Sequence, residues 1–333
     1  MKIDVFNHIV TPRYRDARLR VAPRLAEQER LMPALFDLDA RFRAMDLGGD
    51  GYVQIVNTAN PPVERIAAPE AALELSRVAN DEMAELVARH PSRFIGAAAC
   101  IPMNDVDRAL VELDRAVREL GLCAVQIYTD VNGHPLDDSR FAPLFDRIAA
   151  LDIPMLLHPV RDADRADYPT DTGSRFDTWR IAGWLYDTVA AMMRLVFAGL
   201  FDRHPSIKIV THHLGGFVPY AAERVREGYD KLLKAAHARN EPVALRRHPY
   251  EYFHDFYADT ITIGSVPALR CGLEFFGVDR VMFATDMPFD TQGGRKYVEV
   301  AIQAMNVIDM PLDDKARIFE HNARRVFGVL GHY

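Results

Sequence analysis

Residues 1–12 read MKIDVFNHIVTP, and everything downstream is organised around how this stretch is interpreted. Ile3, Val5, Ile9 and Val10 make an apolar run of strand length, bounded by a proline. Runs this short fit a buried strand. Asn7 and His8 stand inside it. A buried polar group without a partner is costly, so His8 needs one. Alone, it reads as a core histidine bonded to a backbone carbonyl, or as a functional group at a strand end. The other strands decide between the two.

The chain has 333 residues, of which 49% are hydrophobic, enough for one large core. β-rich apolar segments recur at residues 3–10, 52–58, 94–101, 124–129, 155–160, 207–212, 256–263 and 281–284. Amphipathic stretches lie between them, among them residues 68–89, 106–120, 142–151, 179–203 and 267–276. Strands alternating with helices imply parallel pairing through crossover connections. Eight such units predict a (β/α)8 TIM barrel. An open doubly wound sheet is the alternative, but no glycine-rich GxGxxG loop follows any predicted strand. Without a linker or low-complexity tract, residues 1–333 read as one domain. Residues 11–33, rich in Arg and Pro, and the polar residues 161–177 are the expected loops over the catalytic face.

A net charge of -7 argues against a nucleic-acid footprint. No apolar run reaches the length of about 18 residues that a membrane span needs. The chain enters a strand at once, so no secretory leader is expected. Cys100, Cys123 and Cys271 are widely spaced, which suits a reduced, cytoplasmic setting and small buried side chains.

Catalytic groups of a parallel barrel sit at the C-terminal ends of its strands. Strand one offers His8, strand five (MLLHPV) His158, strand six (IKIVTHHLGG) His212 and His213, and strand eight (VMFATDMPFD) Asp286. Four strand ends aim imidazoles and a carboxylate at one rim. These are the donors of a catalytic zinc or similar divalent site, or the partners of a proton-transfer site.

The chain also resembles the amidohydrolase superfamily, in the branch of aminocarboxymuconate-semialdehyde decarboxylase and related non-oxidative decarboxylases. The resemblance lies in MKIDVFNHIVTP, GLFDRHPSIKIVTHHLGGFVPY, FYADT, FATDMPF and NARRVFG, and it spans nearly the whole length. It implies His8, His158 and Asp286 as ligands of a divalent metal, zinc or manganese, and His213, of the His-x-Gly-Gly pattern, as the catalytic histidine. Asp286 would serve as both ligand and base. It further implies Trp184 as a substrate-binding wall and Arg224 as an arginine lent across a homodimer to bind a substrate carboxylate. His212 falls where the family usually has a small residue, and its ring is expected on the other side of the strand.

Phe6 is the departure. The family carries His-x-His or Glu-x-His on strand one, both outer residues binding the metal, and Phe6 stands at the first. A phenyl ring donates nothing, so three ligands remain, with reduced or absent metal occupancy as the expected cost. Asn7 should point to the opposite face.

The expected function is metal-dependent decarboxylation of a small unsaturated or aromatic carboxylic acid. Hydrolysis or hydration of a lactone, an amide or an activated C–C bond is the alternative. A barrel that has lost catalysis and serves for binding is the third.

Overall fold

The computed structural model describes residues 1–241 and 243–329; position 242 and the last four residues of the expected 1–333 unit lie outside the described residues. Strand β1 comes in two pieces, Lys2–Asp4 and His8–Ile9, and β2 is Tyr52–Thr58. Then follow β3 (Phe94–Ala99), β4 (Ala124–Tyr128), β5 (Pro154–His158), β6 (Lys208–Thr211), β7 (Tyr257–Asp259) and β8 (Val281–Met282). Each pairs in parallel with the next; Ile3 lies opposite Val53, and His8 opposite Asn57. Backbone bonds close the ring between β8 and β1: Val5 N–H donates to Phe283 O at 3.0 Å, and His8 N–H to Met287 O at 2.9 Å. The fold is a (β/α)8 barrel.

Both faces of the strands are buried, which explains their near-continuous apolar runs. Ile3, Val5, Ile55, Ala98, Leu156, Val210 and Met282 fill the interior. A larger layer packs between strands and helices. The helix Val106–Arg118 shows how that layer forms. Asp105 caps it by accepting Arg108 N–H at 3.0 Å, and Ala109, Leu113 and Ala116 recur on its buried face. Such a cap contributes about 1 kcal/mol.

Three expectations are corrected. The first strand is not continuous over residues 3–10. Asn7 interrupts it, its amide donating to Asp4 O at 3.0 Å and Ile55 O at 3.1 Å while its oxygen accepts from the buried Arg41 guanidinium. Asn7 is thus held away from the barrel axis, and Phe6 and His8 share the inner side. Second, residues 179–203 are not one helix but Thr178–Ile181, Gly183–Phe197 and Leu200–Arg203. One break falls at Gly199, whose φ of 68° lies in the left-handed region that glycine enters without strain. Third, strand seven stops at Asp259 rather than running to residue 263, because the Asp259 side chain takes the Ile261 N–H at 3.0 Å. Helices Leu38–Met45, Ala222–Ala238 and Arg295–Val307 complete the alternation.

Of the two long loops, residues 11–33 fold into helices Pro12–Val21 and Leu25–Arg30. Residues 161–177 stay irregular, tied by Asp167 accepting from Ser174 Oγ at 2.7 Å and Arg175 N–H at 2.8 Å. Among the described residues no helix is long and apolar enough to cross a membrane. All three cysteines are free thiols.

Candidate active site

His8 stands on the second piece of β1, His158 is the last residue of β5, His212 and His213 follow β6 directly, and Asp286 follows β8. The barrel brings all five to one rim. His8 Nδ1 lies 3.0 Å from Thr58 O, and His158 Nδ1 2.6 Å from Pro159 O. A carbonyl only accepts, so both Nδ1 atoms carry the proton. His212 Nδ1 lies 2.6 Å from Asp259 Oδ2 and donates likewise. In the His8 and His158 rings the lone pair is therefore left on Nε2, and in His212 Nε2 is the nitrogen turned away from Asp259.

One nitrogen from each of His8, His158 and His212 lies within 4.8 Å of the others, and the same holds for donor atoms of His212, His213 and Asp286. His8 Nε2 is 3.4 Å, and His212 Nε2 3.6 Å, from Asp286 Oδ1. His213 Nε2 is 3.8 Å from Asp286 Oδ2. Among the described residues, His8 Nε2 and His212 Nε2 are buried without a hydrogen-bond partner. Metal–donor bonds of about 2.0–2.2 Å in a tetrahedral site put ligand atoms roughly 3.3–3.6 Å apart. The side chains therefore fit a divalent cation: His8 Nε2 and His212 Nε2 stand at that spacing from Asp286 Oδ1.

Electrostatics separates the roles. Burial, with the charges of His212, His8 and His213, holds the His158 imidazole well below its ordinary range. Burial and the charge of His212 lower His213 as well. Burial alone would lower His212, but Asp259 and Asp286 outweigh it and push it up to about 9. Burial opposes ionisation of Asp286, yet the neighbouring imidazoles of His212, His213 and His8 hold it well below the usual carboxylate range.

The local backbone is unusual. His213 (φ 52°), Leu214 (φ 53°) and Asp286 (φ 62°) all adopt the left-handed conformation. Residues other than glycine do so rarely, and such strain gathers at functional sites. Asp259 supports the first two by accepting His213 N–H at 3.2 Å and Leu214 N–H at 2.9 Å.

Of the residues singled out from the sequence, His8, His158, His213 and Asp286 converge. Trp184 opens the helix Gly183–Phe197 with its ring centroid 5.6 Å from His158 and 6.3 Å from His213. Arg224 lies exposed on the helix Ala222–Ala238, outside this cluster's hydrogen bonds and ion pairs. The expectation for His212 is corrected: its ring faces the cluster, stacked at 3.9 Å on Phe6 and 4.9 Å from His158. Alternation fails there because the chain leaves β6 at Thr211 and turns through left-handed residues at once.

Three residues escaped the sequence reading. Asp259 ends β7 fully buried, and a lone carboxylate closing an apolar strand was its signal. Arg41 is fully buried too, donating to His8 O at 2.6 Å and Gln54 Oε1 at 3.0 Å, which sets the His8 backbone. Arg18, on the helix above the rim, is buried with Nε and Nη1 lacking hydrogen-bond partners among the described residues; its nearest carboxylate, Glu29, is 3.7 Å away. One arginine among the many of residues 11–33 carried no signal.

A family model described as Amidohydrolase matches residues 8–329. A gamma-resorcylate decarboxylase from Rhizobium radiobacter is 31% identical over 317 residues, covering 90% of each chain. Another from Polaromonas sp. strain JS666 is 33% identical over 276 residues, 78% of this chain and 80% of its own. Among solved structures, a dihydroxybenzoic acid decarboxylase from Polaromonas sp. JS666, with bound manganese and the inhibitor 2-nitroresorcinol, superposes with a TM-score of 0.81 at 28% identity, over 98% of this chain and 96% of that one.

Proposed function

Since the chain belongs to the amidohydrolase family, in the branch of its non-oxidative decarboxylases, we propose that it is a divalent-metal-dependent carboxy-lyase acting on a small aromatic carboxylic acid. The observation that carries this reading is the convergence of imidazole lone pairs and the Asp286 carboxylate, with His213 beside them. His8, His158 and Asp286 hold the metal. Zinc suits the imidazoles, while manganese suits the carboxylate and is the ion bound in the solved relative. When bound, the metal supplies a Lewis acid that polarises a substrate oxygen and orients the ring.

The chain's own residues do the rest. His213, half-buried while the other histidines are fully buried, moves the proton. It delivers H⁺ to the ring carbon that bears the carboxylate. The C–C bond then breaks, its electron pair returns to the ring, and the carboxylate leaves as CO2. Substrate carboxylate plus one proton thus gives the decarboxylated ring plus CO2. Proton transfer by a positioned side chain contributes about 10²–10⁴-fold. Asp286 Oδ2 faces His213 and keeps the proton in reach. Trp184 supplies a flat wall for a planar ring. The buried, under-partnered Arg18 is a cation for the substrate carboxylate from within the chain, and Arg224 is one from a neighbouring copy.

The protein acts as a homodimer. Tyr168, Phe176, Ile181 and Tyr186 near the site, and Tyr220 before the Arg224 helix, are large, exposed and apolar or aromatic, which suits a covered face. Its three free thiols suit the cytoplasm. CO2 release from a panel of hydroxybenzoates and carboxymuconate-like acids, after loading with manganese or zinc, tests the reading. At least one acid is expected to lose CO2. Opening of lactones with no CO2 from any acid would overturn it in favour of hydrolysis.

A further inference from the structure

Resting on that metal reading, we propose that His212 is a fourth protein ligand of the ion, supplying the donor that Phe6 cannot. Three observations meet here. First, His212 Nε2 is fully buried, unpartnered among the described residues, and 3.6 Å from Asp286 Oδ1, close to the 3.4 Å of His8 Nε2 from the same oxygen. His212 and His8 thus stand in matching relation to the carboxylate. Second, His212 Nδ1 is held by the buried Asp259 at 2.6 Å. Ligating histidines commonly carry such a carboxylate behind them, because it fixes the tautomer and aims the free nitrogen. Third, Phe6 fills the space between the rings. It stacks on His212 at 3.9 Å with an interplanar angle of 22°, and lies 5.7 Å from His8 and 5.9 Å from His158. Its phenyl fixes the imidazole plane.

The competing arrangement is an ion pair in which His212 is protonated and bridges Asp259 and Asp286. It leaves the buried lone pair of His8 Nε2 unsatisfied, and its second contact, 3.6 Å, is longer than a hydrogen bond. A cation held by His8, His158 and His212, whose ligand nitrogens lie within 4.8 Å of one another, with Asp286 Oδ1 3.4 Å from His8 Nε2 and 3.6 Å from His212 Nε2, satisfies the buried nitrogens of His8 and His212. Strand one has lost a donor and strand six has gained one, and the ring left on strand one packs against its replacement.

X-ray absorption on the zinc-loaded His213→Ala protein tests this directly, because each imidazole counted then comes from His8, His158 or His212. Three imidazoles are expected; two overturn the proposal. Zinc titration of His212→Ala provides a second measurement. Affinity should fall at least tenfold while the metal-free circular dichroism matches the parent, and unchanged affinity overturns the proposal. Wild-type protein that takes up no zinc or manganese would overturn the metal reading itself, a result distinct from a wild type that binds zinc through two imidazoles.

Discussion

Replacing Asp259 with asparagine separates support of the site from its chemistry. The carboxylate accepts four hydrogen bonds: His212 Nδ1–H at 2.6 Å, His213 N–H at 3.2 Å, Leu214 N–H at 2.9 Å and Ile261 N–H at 3.0 Å. Asparagine keeps one oxygen and swaps the other for an amide nitrogen. The oxygen is best kept toward Leu214 and Ile261, since both are backbone donors with no alternative. The new NH2 group then faces His212 and His213. Imidazole adapts by moving its proton to Nε2, but the His213 backbone N–H loses its acceptor. A bond to a charged group contributes about 1.5–3 kcal/mol, so the metal-free protein should lose about 2–3 kcal/mol. At roughly 1.4 °C per kcal/mol for a chain of this length, melting should fall by about 3–4 °C. The tautomer change carries the larger functional consequence. With its proton on Nε2, His212 offers a donor where a lone pair had been, and metal affinity should fall by about 10–100-fold, the usual cost of losing such a supporting carboxylate. Differential scanning calorimetry of metal-free protein and zinc titration read the two effects separately. An Asp259→Asn variant melting within about 1 °C of the parent, with unaltered zinc affinity, would show that Asp259 neither holds the turn nor sets the tautomer.

Other substitutions probe separate parts of the argument. His213→Ala should lower turnover by about 10²–10⁴-fold while leaving melting nearly unchanged, since the ring is half-buried at the rim; retained turnover removes it from the proton path. Arg224→Ala should raise KM roughly tenfold with kcat little altered if a neighbouring copy lends this cation, and an unchanged KM rules that role out. Glu64 is buried, and burial pushes its carboxyl up from 4.5 to about 8. Its folded form binds the proton more tightly than the unfolded form, so its contribution to stability is full below about pH 4.5 and is lost as pH rises through about 8. Urea unfolding at pH 5 and pH 8.5 should therefore show the parent losing on the order of a few kcal/mol more than Glu64→Gln; equal losses refute the assignment.

Much of this was legible in the chain itself because strand chemistry is local. Eight short apolar runs with helices between them specify a barrel, and polar residues closing those runs mark the catalytic rim. His8, His158, His213 and Asp286 could be picked out in this way, since a polar residue at the end of a buried strand is conspicuous in one dimension. Phe6 was equally visible as a missing donor. What replaces it was not. The direction of His212 depends on where the strand stops and how the backbone turns afterwards. Asp259, some fifty residues downstream, fixes both by bonding the turn and the ring together. Arg41 likewise reaches back to His8 and Asn7 from another helix, and so decides that Asn7 faces away while Phe6 and His8 face in. Sequence alone thus determined the fold and the residue types of the site, because periodicity and strand ends are properties of neighbours along the chain. Tertiary structure decided which lone pairs meet, because those bonds join residues far apart in sequence, and only the closed barrel brings them within reach.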